Sequence, residues 1–271
     1  MSFSNKVAVI TGGASGIGRA VATAMARRNV AAVALVDMSP AVAEVAAALN
    51  AETGRDFVVP FQGDTTDPVF RARVFDEISR GRERVSLCVP AAGITRDDLA
   101  IRVDKATGKA RQYPLEQFRL VVEVNLIAPV YWALEMIGRI AEDRAAKSLK
   151  KWHPDEGVQG SVVFIGSISS RGNRGQISYA STKAGLEGAA ATIMKEAIFH
   201  GVRCSLIHPG FTDTPMVRAM GAEYVAKNIL PYTQLGRLIQ PEEIADAICF
   251  MLANAAVSGE LWVDAGWHAP A

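Results

Sequence analysis

Tyr179-Ala-Ser-Thr-Lys183 sets a phenol and an ammonium four residues apart. On a helix that spacing puts both on one face. A lysine beside a tyrosine favours the phenolate and is expected to draw the phenol below its free value of about 10. A phenol nearer neutrality can give a proton to a substrate oxygen or take one from it. The same spacing also occurs at the end of an ordinary amphipathic helix. The pair reads as chemistry only if a cofactor, a second hydrogen-bond donor and a pocket surround it.

The chain that must position them has 271 residues, 49% apolar and 21% charged, an ordinary composition for a soluble globular protein. No break resembles a linker, so one domain over 1–271 is expected. The net charge of +1, with acids and bases interspersed, gives no nucleic-acid or membrane footprint. Cys88, Cys204 and Cys249 sit in apolar runs without CxxC spacing, as buried reduced thiols of a cytoplasmic protein do. Met1-Ser2-Phe3-Ser4-Asn5-Lys6 has no signal-peptide layout. No apolar run reaches the roughly 18 residues of a membrane span. His153, His200, His208 and His268 are scattered without metal-ligand spacing, so structural or surface roles and no metal are expected.

Short apolar, β-branched runs predict strands at Val7–Thr11, Ala32–Val36, Phe57–Phe61, Ser86–Val89, Ser161–Ile165, Arg203–His208 and Glu260–Val263. Most are apolar throughout rather than alternating, which is how strands buried on both faces of a parallel sheet read. Helical patterns fall between them, near 17–28, 40–53, 67–79, 116–148, 178–200 and 241–253. The alternation predicts an α/β fold: one doubly wound, parallel, seven-stranded, Rossmann-like sheet with helices on both faces. The 116–148 helix is expected to break or kink at Pro129.

The first strand runs into Thr11-Gly12-Gly13-Ala14-Ser15-Gly16-Ile17-Gly18, and a helix follows. Glycines let the backbone turn sharply and approach a phosphate, and the helix N-terminus adds amide donors and a positive dipole end. The position, after a first buried strand and before a helix, marks a dinucleotide cradle. Asp37 ends the second strand, 19 residues beyond Gly18. A carboxylate there can bind ribose hydroxyls and repels a 2′-phosphate, so NAD(H) is expected over NADP(H). Ser15, where an arginine could have met that phosphate, points the same way.

With these residues in view the chain resembles a short-chain dehydrogenase/reductase from end to end. The 11–18 segment is similar to the family's cofactor loop, with Gly12, Ser15, Gly16, Ile17 and Gly18 as contacts. Asp64-Thr65 matches the place where the family reads adenine. Asn125, in Glu-Val-Asn-Leu, matches its helix asparagine, and Ser167, in Ile-Gly-Ser-Ile, its catalytic serine, 12 residues before Tyr179. Pro209-Gly210-Phe211-Thr212-Asp213-Thr214 resembles the loop at the nicotinamide end, implying contacts from Pro209, Gly210, Thr212 and Thr214. Leu235-Gly236-Arg237 and Pro241-Glu242-Glu243-Ile244-Ala245 resemble a later signature. Gly93-Ile94-Thr95-Arg96-Asp97-Asp98-Leu99 and Gly172-Asn173-Arg174-Gly175-Gln176 most resemble the 3-oxoacyl-[acyl-carrier-protein] and acetoacetyl-CoA reductase group.

The resemblance implies that Tyr179 donates or removes the proton, Ser167 fixes the substrate oxygen, Lys183 lowers the tyrosine pKa and binds the nicotinamide ribose, and Asn125 holds a water linking Lys183 to solvent. Ser169 and Ser170 compete for the serine's role. The implied substrate is a 3-oxoacyl or 3-hydroxyacyl thioester, carried on CoA or acyl carrier protein. A dehydrogenase of free secondary alcohols, polyols or sugars is a second reading, and a non-catalytic NAD-binding sensor a third. The Tyr179 helix, the 116–148 helix and the Glu260–Gly266 segment resemble surfaces that assemble homotetramers.

Two features depart from the family pattern. The usual Asn-Asn-Ala-Gly reads Pro90-Ala91-Ala92-Gly93. Backbone contacts to the cofactor from Ala91, Ala92 and Gly93 are expected to survive; side-chain bracing of the fourth strand is not, and Pro90 removes a ladder donor. There is also extra length at 101–113 and 143–160. The first reads as a polar hairpin turning near Thr107-Gly108, either a solvated or inter-subunit loop or a specificity lid. As a lid it would offer Arg102, Lys105, Lys109 and Arg111 to an acidic carrier or a CoA phosphate.

Overall fold

The computed structural model describes residues 2–267; His268 lies outside them. In chain order the strands are β1 (Val7–Thr11), β2 (Ala32–Asp37), β3 (Val58–Gln62), β4 (Val85–Pro90), β5 (Ile101–Val103), β6 (Ala110–Gln112), β7 (Gly160–Ile165), β8 (Val202–Pro209) and β9 (Gly259–Val263). Seven of them form one parallel sheet in the order β3-β2-β1-β4-β7-β8-β9, and β5 and β6 pair apart from it as an antiparallel hairpin. Every residue of β1, β4, β7 and β8 is buried, which is why those runs carry no polar alternation.

Alternate residues of the strands feed two cores. Ala8, Ile10 and Leu35 pack under α1 (Gly16–Arg27), α2 (Ala41–Thr53) and α9 (Pro241–Ala253). Val7, Val9 and Ala34 pack under α3 (Pro68–Ser79), α5 (Ala128–Ala146) and α6 (Ile177–Ala197) on the other face. The sheet is therefore doubly wound, as expected. Its order reverses between β1 and β4, and a crevice outside the carboxyl ends of strands at such a switch point is where ligands bind in this architecture.

The long helix departs from expectation. It does not stop at Pro129: α4 (Leu115–Val122) passes through a π-turn, Glu123–Ile127, directly into α5. Pro129 has no N–H for the carbonyl of Asn125, and its ring crowds that carbonyl; the wider π-turn gives the room. By length and composition Leu115–Ala146 could cross a membrane, which the sequence reading missed because charged residues interrupt it. Here Trp132, Met136 and Ile140 are fully buried against the sheet, while Leu120, Ile127, Tyr131 and Leu134 face outward. Two short helices, α7 (Pro215–Arg218) and α8 (Ala222–Asn228), fill the excursion between β8 and α9.

Candidate active site

The glycine loop leaves β1 under tight constraint. Gly12 has φ +70°, and a Cβ on it would lie 2.8 Å from the amide nitrogen of Ala92. A Cβ on Gly18 would lie 2.3 Å from the carbonyl oxygen of Gly12. The cradle thus folds back on itself with no room for side chains. Ser15 is the N-cap of α1 in extended backbone, and its side chain makes no cap bond. The Asp37 carboxylate closes the loop from the next strand, accepting from the amides of Ala14 and Ser39, each at 2.9 Å. Beyond β3, Asp64 is exposed and accepts from Thr66, while the carbonyl of buried Thr65 accepts from the Trp132 indole at 2.9 Å.

Across the switch point a cleft of about 140 Å³ is lined by Ile17 of the glycine loop together with Ser167, Tyr179, Pro209, Gly210, Thr212 and Thr214, which come from three motifs further along the sequence. Ser167 caps the short 3-10 turn that follows β7, and its Oγ accepts the Ser169 amide at 3.0 Å. That contact occupies an acceptor site and leaves the hydroxyl proton to be donated. Ser170 spends its own proton on the Ser167 carbonyl at 2.8 Å, so Ser167 holds the place nearest Tyr179, with which it shares a side-chain hydrogen bond.

Burial pushes the Tyr179 phenol above its ordinary value, the Ser167 hydrogen bond pulls it down, and the Asp97 carboxylate pushes it up again. The balance lies above 10, the reverse of the effect expected from the Tyr-x-x-x-Lys spacing. The reason is geometric. Lys183 Nζ donates to the Ile165 carbonyl at 2.7 Å and lies 5.5 Å from the Tyr179 ring centroid, over the face rather than at the hydroxyl. Enclosed in this way, Lys183 is itself pushed down to about 8 by burial.

Asn125 is fully buried behind the wall, and its side chain is committed: Nδ2 donates to the Ile94 carbonyl at 2.8 Å and Oδ1 accepts the Ile94 amide at 2.9 Å. Any link toward Lys183 falls to the Asn125 carbonyl, whose usual helical donor is the missing N–H of Pro129. Thr11 Oγ1 accepts the Ala92 amide at 3.1 Å. Bracing by Thr11 and Asn125 therefore holds the Pro90-Ala91-Ala92-Gly93 turn, where the sequence suggested that side-chain support was gone. Pro90 is the last residue of β4, and the ladder to β7 has already ended at Cys88.

The cradle fits a dinucleotide: a crowded glycine turn, a helix N-terminus beyond it, and a carboxylate held at the end of β2 beside the loop. A family model described as Enoyl-(Acyl carrier protein) reductase matches residues 12–268. The chain is 30% identical to the 3-oxoacyl-[acyl-carrier-protein] reductase FabG of Escherichia coli (strain K12), covering 99% of each. It is 31% identical to the (3R)-3-hydroxyacyl-CoA dehydrogenase of Mus musculus, covering 95% of this chain and 96% of that one. The chain belongs to the short-chain dehydrogenase/reductase family. A solved short-chain dehydrogenase/reductase from Mycobacterium marinum has the same fold, with TM-score 0.82 at 23% identity over 99% of this chain and 98% of that one. As a member, this protein is an oxidoreductase acting between CH–OH and C=O with a nicotinamide cofactor.

Against the family pattern, the two insertions have different surroundings. The β5–β6 hairpin is exposed throughout and turns at Gly108, as read from sequence, with Asp104 accepting the Thr107 amide at 2.7 Å. Arg102 and Arg111 both pair with Asp98, each at 2.8 Å, and both remain more than half exposed. Lys105 and Lys109 are exposed near the turn. At the base, Tyr113 Oη meets Ser178 Oγ at 2.9 Å, next to Tyr179 in sequence. The 143–160 insertion lies at the opposite, amino end of the strands, where Arg144, Glu156, Trp152 and Gln159 pack together near Arg84.

Sequence reasoning missed part of the cleft. Asp97 lines it and accepts from Gln176 at 2.9 Å, across 79 residues of chain. Met216, Val217 and Met220 close it from the α7 side. The Gly-Ile-Thr-Arg-Asp and Gly-Asn-Arg-Gly-Gln segments carry Asp97 and Gln176, and neither segment by itself signals that the two side chains meet. Among the described residues, Glu187, His208 and Glu260 bring ligand-type atoms within 4.8 Å of one another, a trio on three elements that no sequence spacing displays.

Proposed function

We propose that the protein is an NAD(H)-dependent oxidoreductase interconverting a 3-oxoacyl and a 3-hydroxyacyl thioester carried on CoA or acyl carrier protein. The observation that carries this reading is the Ser167–Tyr179 pair on one wall of the cleft, with Lys183 enclosed behind it. The nicotinamide supplies or accepts the hydride. Tyr179 gives a proton to the carbonyl oxygen or takes one from the alcohol. Ser167, its acceptor site filled by Ser169, donates to the same oxygen and steadies its developing negative charge. A tyrosine held above its ordinary pKa is loaded with its proton at neutral pH, which favours reduction; the oxidative direction is expected to accelerate as pH rises.

The Asp37 carboxylate supports NAD(H), and Gly12, Ser15, Gly16, Ile17, Gly18, Asp64, Thr65, Ala91, Ala92, Gly93, Pro209, Gly210, Thr212 and Thr214 are assigned to hold the dinucleotide with Tyr179 and Lys183. Asn125 is assigned to the water path from Lys183. The names of the relatives in Escherichia coli and Mus musculus support the thioester, as do Lys105 and Lys109 on the hairpin anchored at the cleft rim. One domain, 1–271, carries both activities of binding and catalysis. The outward apolar row Leu120, Ile127, Tyr131 and Leu134 supports assembly as a homotetramer. Cys88, Cys204 and Cys249 are buried free thiols, which fits a cytoplasmic setting.

The test is steady-state turnover of acetoacetyl-CoA and of a panel of free ketones and alcohols, with NADH and NADPH side by side. Acetoacetyl-CoA with NADH is expected to give the highest kcat/KM. A free ketone or polyol in first place supports the alcohol-dehydrogenase alternative, and no oxidation of NADH by any carbonyl supports the sensor. NADPH preference sinks the Asp37 argument, whereas Asp37→Ala is expected to narrow the NADH preference by about 10-fold or more through loss of like-charge repulsion.

A further inference from the structure

We propose that His208 is a positioning residue for Ser167, acting through the serine's own carbonyl; this rests on the catalytic reading of Ser167 above. His208, in β8, is completely enclosed. Its Nδ1 lies 3.2 Å from the Ser167 carbonyl oxygen. A carbonyl only accepts, so Nδ1 carries the proton it donates. The ring fills space that only glycine leaves: a Cβ on Gly166 would lie 2.8 Å from His208 Nδ1 and 3.1 Å from Cε1. The glycine of Ile-Gly-Ser-Ile and the histidine of Ile-His-Pro-Gly are thus two halves of one packing unit.

Three donors converge on the Ser167 carbonyl: His208 Nδ1, the Ser170 hydroxyl at 2.8 Å and the Ser170 amide at 3.1 Å. Together they fix the peptide, leaving Ser167 in extended backbone with φ −169° and ψ 154°. From there its Oγ meets both the Ser169 amide and Tyr179. The imidazole is itself held. Trp262, its register partner on β9, stacks on it at 4.0 Å with an interplanar angle of 11°. The Arg171 guanidinium lies over the Trp262 ring at 5.0 Å. Nε2 faces the Glu260 carboxylate at 3.1 Å, with Glu187 at 3.9 Å. A flip of the ring would exchange Nδ1 with Cδ2 and Nε2 with Cε1 and give up both contacts at once, so neither nitrogen can change partner alone. The edge strand, through Trp262 and Glu260, thereby sets the orientation of the catalytic serine.

Three variants of the full chain separate the two ring nitrogens. In His208→Asn the amide reaches the Nδ1 position, keeping a donor for Ser167 and giving up Glu260. In His208→Gln it reaches the Nε2 position, keeping Glu260 and giving up Ser167. His208→Leu loses both. For acetoacetyl-CoA reduction with NADH, the Asn variant is expected to keep kcat within about 3-fold, the Gln and Leu variants to lose about 10-fold or more, and all three to keep the NADH Kd within about 2-fold. Crystal structures of the variants are expected to retain the Ser167–Tyr179 contact in Asn and to lose it in Gln and Leu. The proposal is overturned if kcat simply follows Tm across the three, or if Ser167 Oγ stays in place without a donor at 208. The crystal structures decide this even if acetoacetyl-CoA proves not to be a substrate, an outcome that would count against the proposed function instead.

Discussion

The two ends of the sheet each carry an insertion of polar sequence, and what lies beside it differs: paired guanidinium groups at the amino end, an enclosed lysine and tyrosine at the carboxyl end. At the amino end, charges are matched. Arg84 reaches Asp143 and Gln159, each at 2.7 Å, and Arg144, with a side chain 2% exposed, is forked onto Glu156 at 2.5 and 3.2 Å. At the carboxyl end, Lys183 is buried with a backbone carbonyl as its hydrogen-bond partner, Tyr179 is held above its ordinary pKa, and the nearest carboxylate, Asp97, pushes it further up. One end pairs its enclosed guanidinium groups with carboxylates, although Nε of Arg84 and of Arg144 stays without a hydrogen-bond partner. The other leaves charge incompletely compensated, the usual state of groups that must exchange protons.

The comparison can be broken first at its chemical end. Tyr179→Phe removes the proton donor and is expected to lower kcat at least about 1,000-fold while leaving the NADH Kd within about 3-fold; substantial residual turnover would mean that Tyr179 is not the acid. At the amino end the reverse pattern is expected. Glu156→Gln strands an enclosed guanidinium and should lower Tm by more than about 5 °C, with kcat/KM within about 2-fold of the parent. A large loss of activity at unchanged Tm would show that the two ends are coupled.

Lys183 sharpens the contrast through pH. Its folded value of about 8 lies below the ordinary 10.5. Between those values the unfolded chain binds a proton that the folded chain does not, so this residue's contribution to stability rises with pH across that window and is flat below it. Lys183→Met lacks the titration. Its stability relative to the parent is expected to fall by about 2 kcal/mol between about pH 7 and about pH 9.5, measured by urea unfolding; a constant difference would place the lysine in a solvated setting. The smallest effect is expected at the hairpin. Asp98→Asn frees Arg102 and Arg111 and should change the KM for acetoacetyl-CoA by about 2- to 5-fold with kcat nearly unchanged. No change would leave the hairpin without a part in substrate choice.

The sheet was legible because its strands are buried on both faces, so runs such as Val7–Thr11 and Ser161–Ile165 announce themselves without reference to neighbours. The candidate site residues stood out where one local motif gathers several of them, as in Gly12–Gly18 or Tyr179–Lys183. What escaped were relations between distant residues. Asp97 and Gln176 meet across 79 positions, and His208 meets Ser167 across 41. The shared partner of Arg102 and Arg111, Asp98, lies just outside the insertion, so the pairing did not show in the 101–113 segment itself. The sign of the Tyr179 shift depends on enclosure and on where Lys183 Nζ points, and helical spacing specifies neither. That the helix runs on past Pro129 was hidden for a similar reason: continuity rests on Trp132, Met136 and Ile140 being buried against the sheet, which the local sequence does not show.

One feature of the sheet has a mechanical side. β4 and β7 are in register only at Leu87–Ser161 and Cys88–Val162, against five or six registered positions at most other neighbours in the sheet. That short ladder is a seam. On one side lie the glycine cradle and Asp37; on the other lie Ser167 and the strands that lead to His208 and the Pro209–Thr214 loop. A dinucleotide reaching from the cradle to that loop would bridge the seam like a staple. Amide hydrogen exchange in β4 and β7 is therefore expected to slow on NADH binding, and unchanged exchange there would mean that the bridge adds nothing to the short ladder.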